Sequence, residues 1–445
     1  MTSVDSYRIK TLRDQGKLTN GNNLSYKRIV WGHINDVEFK FKTSPPAEAL
    51  IEVTNQCVAK FTDSKFLRYA IDKICETQGS GAGPNGISPK ELEDSERWNY
   101  VMAVQHHLNA GNYSPEPTRT IEIPKKAKGL TTREVRQLEV QNIGDKMPDR
   151  CAFDVLSPVC EQLFLKTSYG SRPNRDYQDA LAFVQSYATD HGCNWIVTND
   201  IQAAFDNVVI SKLLSAVDTL LGNEEITQHI RLLVDRGQER GLLTGSPLSP
   251  LLLNIYLHIY LDSRWIEDST APPLVRYVDD LLIPCKSEAE ARACQQRLGR
   301  LLADVGMTCK FEPLAAITDI ENDIAEWLGT DVSMVAGNVT YSITRERREE
   351  IEKRCSLGDQ MYEKRELIGI LNSVGPVWTE QLDAWLYEQV RLRNLQQPGK
   401  YQVSRESYYK AIDGARRRFA EALWKADCTR NRSTAQVIIN NSVIG

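Results

Sequence analysis

RYVDDLLIP (residues 276–284) sets two carboxylates, Asp279 and Asp280, between the apolar residues Val278 and Leu281. Neighbouring like charges repel, and moving either out of water is costly unless something compensates. The apolar flanks predict two short strands joined by a tight Asp-Asp turn. An ordinary exposed hairpin turn would explain the pair equally well if it stood alone.

It does not stand alone. In CNWIVTNDIQAAF (193–205) an apolar, β-branched run reaches Asp200 and then gives way to helical spacing, which predicts Asp200 at a strand end. SPLSPLLLNIYLHIYLD (246–262) has the apolar density of a buried helix, with prolines at its start, where they cost least. A carboxylate at a strand end and a pair at a hairpin turn can meet on one edge of a sheet. At about 4 Å two carboxylates repel by roughly 4 kcal/mol at an effective dielectric near 20. A hard divalent cation reverses that sign. Mg²⁺ accepts carboxylate and phosphate oxygens, and two such ions about 4 Å apart clamp the attacking and leaving oxygens of phosphoryl transfer.

The totals bound the answer. At 445 residues, two or three packed units are expected. An apolar fraction of 41% and a charged fraction of 25% suit a soluble globular protein. The longest apolar run, LLLNIYLHIYL (251–261), is too short to cross a bilayer and is interrupted by Asn254 and His258, so no membrane partner is expected. MTSVDSYRIK at the N-terminus lacks the pattern of a secretory signal. Ten cysteines without a C-x-x-C pair read as reduced thiols, which points to the cytoplasm. A net charge of -5 argues against indiscriminate coating of nucleic acid. Charge is uneven, however: residues 345–432 hold 18 of the 54 Lys and Arg and 14 of the 59 Asp and Glu, leaving 36 basic against 45 acidic elsewhere. Phosphate contacts are therefore to be sought in the C-terminal segment, although a solvated helix face of mixed charge has the same composition.

Along the chain, helical spacing is expected at 46–60, 64–77 and 91–108, with the turn-rich GSGAGPNGISP (79–89) between them. TRTIEIPKKAKG (118–129) alternates like a strand. From 345 onward the pattern is of charged helices, at 345–356, 362–394 with a break at Gly375-Pro376, and 404–427. The middle is α+β and the end is α.

Six blocks in one order resemble the reverse transcriptases of bacterial retroelements: group II introns, retrons and their stand-alone, defence-associated relatives. RTIEIPKKAKG (119–129), followed by Arg133 and Arg136, is similar to that family's I-P-K block with its downstream arginine. MPDRCAFDVLSPVCEQLFLKTSYGSRPNRDYQDAL (147–181) is similar to the block that runs D-R, L-x-P, S-Y-G-F-R-P-x-R. VTNDIQAAFDNV (197–208) resembles the first-aspartate block, and GLLTGSPLSPLLLNIYLHIYLD (241–262) the Q-G-x-x-x-S-P block. RYVDD is the Y-x-D-D block, and EWLGTDV (326–332) is similar to the L-G strand that ends the palm.

The resemblance implies an α+β, right-hand polymerase architecture. Residues 1–78 would be a mostly helical N-terminal extension, 79–340 the fingers and palm with an antiparallel sheet, and 341–445 an all-α thumb. It implies that Asp200, Asp279 and Asp280 are catalytic and, with the backbone carbonyl of Ile201, hold two Mg²⁺ ions, Mn²⁺ serving in their place. Lys125, Arg133 and Arg136 would hold the triphosphate, since guanidinium forks and an ammonium suit phosphate oxygens. Phe205 would lie beneath the sugar and exclude a 2′-hydroxyl, or else be core. Thr244 and Gly245 would border the nucleotide, and Tyr277 the primer end. Arg150, Arg172 and Arg175 would support template or fold. Arg416, Arg417 and Arg418, with Trp378, Trp385, Tyr408 and Tyr409, would offer backbone contact and packing on the thumb.

Three departures from the family pattern stand out. Thr244 replaces the usual glutamine, Ser171 the usual phenylalanine, and GMTCKFEP (306–313) lacks the ordinary N-x-x-K-T. No histidine follows His258, so a Cys/His-containing endonuclease segment is not expected. The expected function is RNA-directed DNA polymerisation from deoxynucleoside triphosphates, with a cognate noncoding RNA in phage defence. A homo-oligomer or a partner protein stays open. Competing readings are untemplated or protein-guided synthesis of simple repeats, RNA polymerisation, and a catalytically idle RNA-binding scaffold.

Overall fold

The computed structural model describes residues 23–77, 81–124, 135–356, 364–397 and 399–430. Among the described residues four α-helices come first: α1 (Asn23–Thr43), α2 (Pro46–Phe61), α3 (Ser64–Thr77) and α4 (Asp94–Asn109). A two-stranded ladder of β1 (Arg119–Pro124) and β2 (Val135–Val140) follows, then α5 (Ile143–Leu163) and α6 (Tyr177–His191). Asp176 caps α6 by accepting from the Gln178 and Asp179 amides, and Gly192 ends it in the left-handed conformation.

The central sheet is antiparallel, in the order β4 (Val275–Tyr277), β5 (Asp280–Cys285), β3 (Trp195–Asp200), β6 (Ile317–Asp319). Between β3 and β4 come α7 (Ile210–Leu221), α8 (Glu224–Val234) and α9 (Ser249–Leu257). α9 runs on through a π turn (His258–Asp262) into α10 (Ser263–Ile266). α11 (Glu288–Ala303) separates β5 from β6. A second antiparallel sheet, β7 (Ala325–Trp327), β8 (Thr330–Val335) and β9 (Asn338–Ile343), leads to α12 (Arg345–Ser356), α13 (Lys364–Leu371), α14 (Glu380–Gln396) and α15 (Arg405–Arg430).

The central sheet is covered on both faces, which explains why LLIPC shows no polar alternation. Val197, Leu281 and Ile283 join one core with the N-terminal helices, α5 and α7 to α9. Ile196, Val275 and Leu282 point the other way, into a core with α6, the second sheet and the C-terminal helices. Hydrogen bonds tie α6 to the C-terminal part: the Tyr177 hydroxyl donates to the Ser373 carbonyl, and Ser186 Oγ donates to Asp427 at 2.7 Å. Among the described residues, no helix is long and apolar enough to cross a membrane.

Candidate active site

The pairing of β3 with β5 brings the acidic residues together. Asp200 is the register partner of Asp280, and the Ile201 amide donates to the Asp279 carbonyl at 3.0 Å. Tyr277, at the end of β4, is also a register partner of Asp280. Val278 takes φ = 59°, a region that β-branched residues rarely enter, so the turn between the strands is strained.

β6 pairs with only the first half of β3, from Trp195 to Val197. The vacated edge is taken by the 308–311 segment. Gln202 donates through its amide to the Thr308 carbonyl at 2.9 Å, and the Lys310 amide donates to the Asp200 carbonyl at 2.8 Å. Asn199 fixes this segment from below, its Oδ1 accepting from the Phe311 amide at 3.1 Å. Lys310 Nζ then reaches Asp200 Oδ2 at 2.8 Å. That hydrogen bond to Asp200 holds the lysine above its ordinary range, helped by the charges of Asp280 and Asp279.

Among the described residues, no three His, Cys, Asp or Glu side chains gather closely enough to hold a metal ion in this arrangement. The donors at this edge, carboxylates and the Ile201 carbonyl, are all hard oxygens and so fit a hard divalent ion once the ammonium moves aside. The sequence alone does not single out Lys310, because GMTCKFEP departs from the usual block.

The other expected residues that the structure describes are each held by contacts of their own. Phe205 is half-buried against the first core, and its carbonyl accepts from the Leu242 amide at 2.9 Å. The Thr244 carbonyl accepts from the Glu139 amide at 2.8 Å, so the 244–246 loop docks on β2. Gly245, at φ = 114°, lies so close that a Cβ would stand 2.8 Å from the Glu139 carbonyl. Ser246 Oγ donates to Asp149 Oδ2 at 2.6 Å, and Gln141 Nε2 donates to the same oxygen at 2.9 Å. Burial pushes the Asp149 carboxyl up to about 6, against the pull of those two donors. Arg136 sits on β2 opposite Ile123. Lys125 and Arg133 lie outside the described residues.

Several arginines are engaged within the fold. Arg172 is buried, forks onto Glu161 at 2.8 and 2.9 Å, and donates to the carbonyls of Leu165 and Ser168. Arg175 also pairs with Glu161, at 3.1 Å. Arg150 forks onto Asp154, one turn on. These positions serve the fold half of what was expected of them. On α15, Arg416 stacks on the Trp378 ring at 3.7 Å from its centroid, and with Arg417 lines a groove that also includes Gly375 and Leu423. Arg418 donates to the Asn372 carbonyl at 2.7 Å.

Comparison with known proteins identifies the domain. Residues 123–332 match the family described as reverse transcriptase (RNA-dependent DNA polymerase). Protein YkfC of Escherichia coli (strain K12) is 30% identical over 182 residues, 38% of this chain and 46% of that protein. The group II intron-encoded protein LtrA of Lactococcus lactis subsp. cremoris is 28% identical over 187 residues, 40% of this chain and 30% of that protein. The chain thus spans less than half the length of these relatives. A chain of a partial Cas6-RT-Cas1–Cas2 complex matches 56% of this chain and 41% of its own at a TM-score of 0.34 and 21% identity. Residues 123–332 are thus similar to reverse transcriptases, among them a group II intron-encoded protein.

Proposed function

We propose, from this similarity, that the chain is an RNA-directed DNA polymerase. A primer 3′-oxygen would attack the α-phosphate of a deoxynucleoside triphosphate, and the bond to pyrophosphate would break. The observation that carries the proposal is the pairing of Asp200 with Asp280 across β3 and β5, with the Asp279 carbonyl on the Ile201 amide. In the right-hand description, 79–340 would form fingers and palm, 341–445 the thumb, and 1–78 an extension.

Asp200, Asp279, Asp280 and the Ile201 carbonyl would hold two Mg²⁺ ions, whose chemistry is to neutralise charge on the attacking and leaving oxygens. The remaining work falls to the chain. Arg136, with Lys125 and Arg133, would bind the triphosphate. The 244–246 loop would border the base, and Phe205 would crowd a 2′-hydroxyl. Tyr277 would support the primer end, and Arg416 and Arg417 the duplex backbone beyond it. Positioning and charge neutralisation account for most catalysis of this type.

Primer extension on an RNA template with Asp279→Ala, Asp280→Ala tests the assignment. The double variant should lose Mg²⁺-dependent deoxynucleotide incorporation while keeping its circular dichroism spectrum, and undiminished synthesis refutes the proposal. Thr244 favours a second reading, since its short side chain stands where the family has glutamine: untemplated synthesis of simple repeats. Product sequences that ignore the supplied template would establish it. A cognate noncoding RNA in phage defence is proposed on the altered blocks alone; sequencing the RNA and DNA that purify with the protein from its host tests it.

A further inference from the structure

The turn that presents Asp279 is built against its own backbone preference. Val278 holds φ = 59°, where a Cβ-branched residue is strained. Contacts from outside the turn meet it there. The Val278 carbonyl accepts from Arg276 Nη1 at 3.0 Å, and Arg276 is fully buried.

A buried guanidinium is tolerated only when its charge and its donors are satisfied. Here they are. Nε and Nη2 fork onto Asp262 at 2.9 and 2.6 Å, and Nη1 also donates to Asn254 Oδ1 at 2.7 Å. Asn254 in turn donates through Nδ2 to the Gly170 carbonyl at 2.9 Å. Asn254 and Asp262 lie two i,i+4 steps apart, a row that drifts around an α-helix. The π turn at 258–262 winds more slowly and returns the row to the face that meets Arg276. His258, the step between them, stands 4.0 Å from Asp262 and is kept neutral by burial, with its pKa near 4, so it brings no second charge to the carboxylate.

The backbone is held as well. The Arg276 amide donates to the Thr167 carbonyl, and its carbonyl accepts from the Tyr169 amide. Gly170 leaves room for the turn, since a Cβ there would come within 2.5 Å of the Val278 nitrogen and Cγ2. Asp279 therefore lies between two pinned peptides. The carbonyl before it is held by Arg276, and its own carbonyl by the Ile201 amide.

We propose that Arg276, set by Asp262 and Asn254, is a positioning residue that holds Val278 in its left-handed conformation and thereby aims the Asp279 carboxylate. The inference rests on Asp279 being catalytic. It predicts a specific form of rescue, because glycine adopts a positive φ without strain. Once position 278 is glycine, the clamp has less to hold.

The test is a double-mutant cycle of Arg276→Lys and Val278→Gly, read as single-nucleotide incorporation on a primed RNA template, with Asp279→Ala as control. Arg276→Lys keeps the charge but loses the fork. In the wild-type background it should lower kcat by about 30- to 100-fold with KM for the nucleotide changed less than about threefold, the mark of a misaimed reacting group. In the Val278→Gly background the same substitution should cost less than about fivefold. A purely structural role would lower the melting temperature and leave the penalty equal in both backgrounds, which overturns the inference. Should Arg276→Lys fail to fold, Asn254→Ala, which removes one support of the guanidinium, replaces it in the cycle with the same criterion. If Asp279→Ala remains as active as wild type, the catalytic assignment falls and the inference with it; if that control is inactive and the cycle shows no coupling, the inference alone falls.

Discussion

Asp149 gives the sharpest test of how the 244–246 loop is held. It is buried on α5, and its Oδ2 accepts from Ser246 and Gln141. Burial raises its pKa to about 6, whereas an exposed aspartate titrates near 3.9. The folded protein therefore prefers the protonated form. Stability from this group is fully present below the unfolded value near 3.9 and is lost as pH rises through the folded value near 6. About two pK units correspond to roughly 3 kcal/mol lost in total, of which about half falls between pH 5 and pH 8.

Asp149→Asn keeps an acceptor oxygen for Ser246 and Gln141 and cannot ionise. Relative to wild type its stability should rise by about 1 to 2 kcal/mol between pH 5 and pH 8 and level off above pH 7. Urea unfolding followed by tryptophan fluorescence measures this, with both proteins compared at each pH so that other titrating groups cancel. Asp145, also raised by burial, is one such group. A difference that stays flat from pH 5 to pH 8, or shrinks, would show that folding does not raise the Asp149 pKa and refute the argument.

Three further outcomes are expected. Lys310→Met removes the ammonium that Asp200 now holds at 2.8 Å; an exposed pair of this kind is worth about 0.2 to 1 kcal/mol, so the Mg²⁺ or Mn²⁺ concentration that half-stabilises the protein in a thermal-shift titration should fall by up to about fivefold, and an unchanged or higher midpoint counts against cation competition there. Phe205→Ala should narrow the preference for deoxynucleotides over ribonucleotides by about tenfold or more in single-nucleotide incorporation; an unchanged ratio in a folded variant assigns the ring to the core. Gly245→Ala forces a Cβ to 2.8 Å from the Glu139 carbonyl at φ = 114°, a strain of about 1 to 3 kcal/mol, and should raise KM for the nucleotide by about tenfold, with unaltered kinetics arguing that the loop is not part of the nucleotide seat.

What the sequence made legible follows from which forces act locally. Asp200 could be placed because an apolar run stops at it, and the C-terminal helices because their charge and periodicity persist over many residues: 345–356 matches α12, and the expected break at Gly375-Pro376 falls between α13 and α14. α1 was not foreseen, because Trp31 and Phe39 are exposed beside the buried Val30, His33 and Val37 and blur the apolar stripe. The strand of EWLGTDV was expected, but β7 to β9 as a separate sheet was not, since β7 has three residues and β8 carries Thr330, Asp331 and Ser333. The turn expected at Asp279-Asp280 falls one residue earlier, at Val278-Asp279, with Asp280 opening β5, because local strand preference at Val278 points away from its observed φ.

The acidic cluster shows why such sites resist local reading. Asp279 and Asp280 look unfavourable in RYVDDLLIP because what offsets them is remote. The ammonium nearest Asp200 comes from position 310, and the guanidinium that holds the Val278 carbonyl is itself neutralised by Asp262 on another element. For the buried Arg276–Asp262 pair, removing one partner would leave an uncompensated charge in the core, which costs more than the intact pair contributes. The cost therefore selects the whole constellation together. Six weak blocks in fixed order carried more information than any one of them, since their order reports partners that the folded sheet brings side by side.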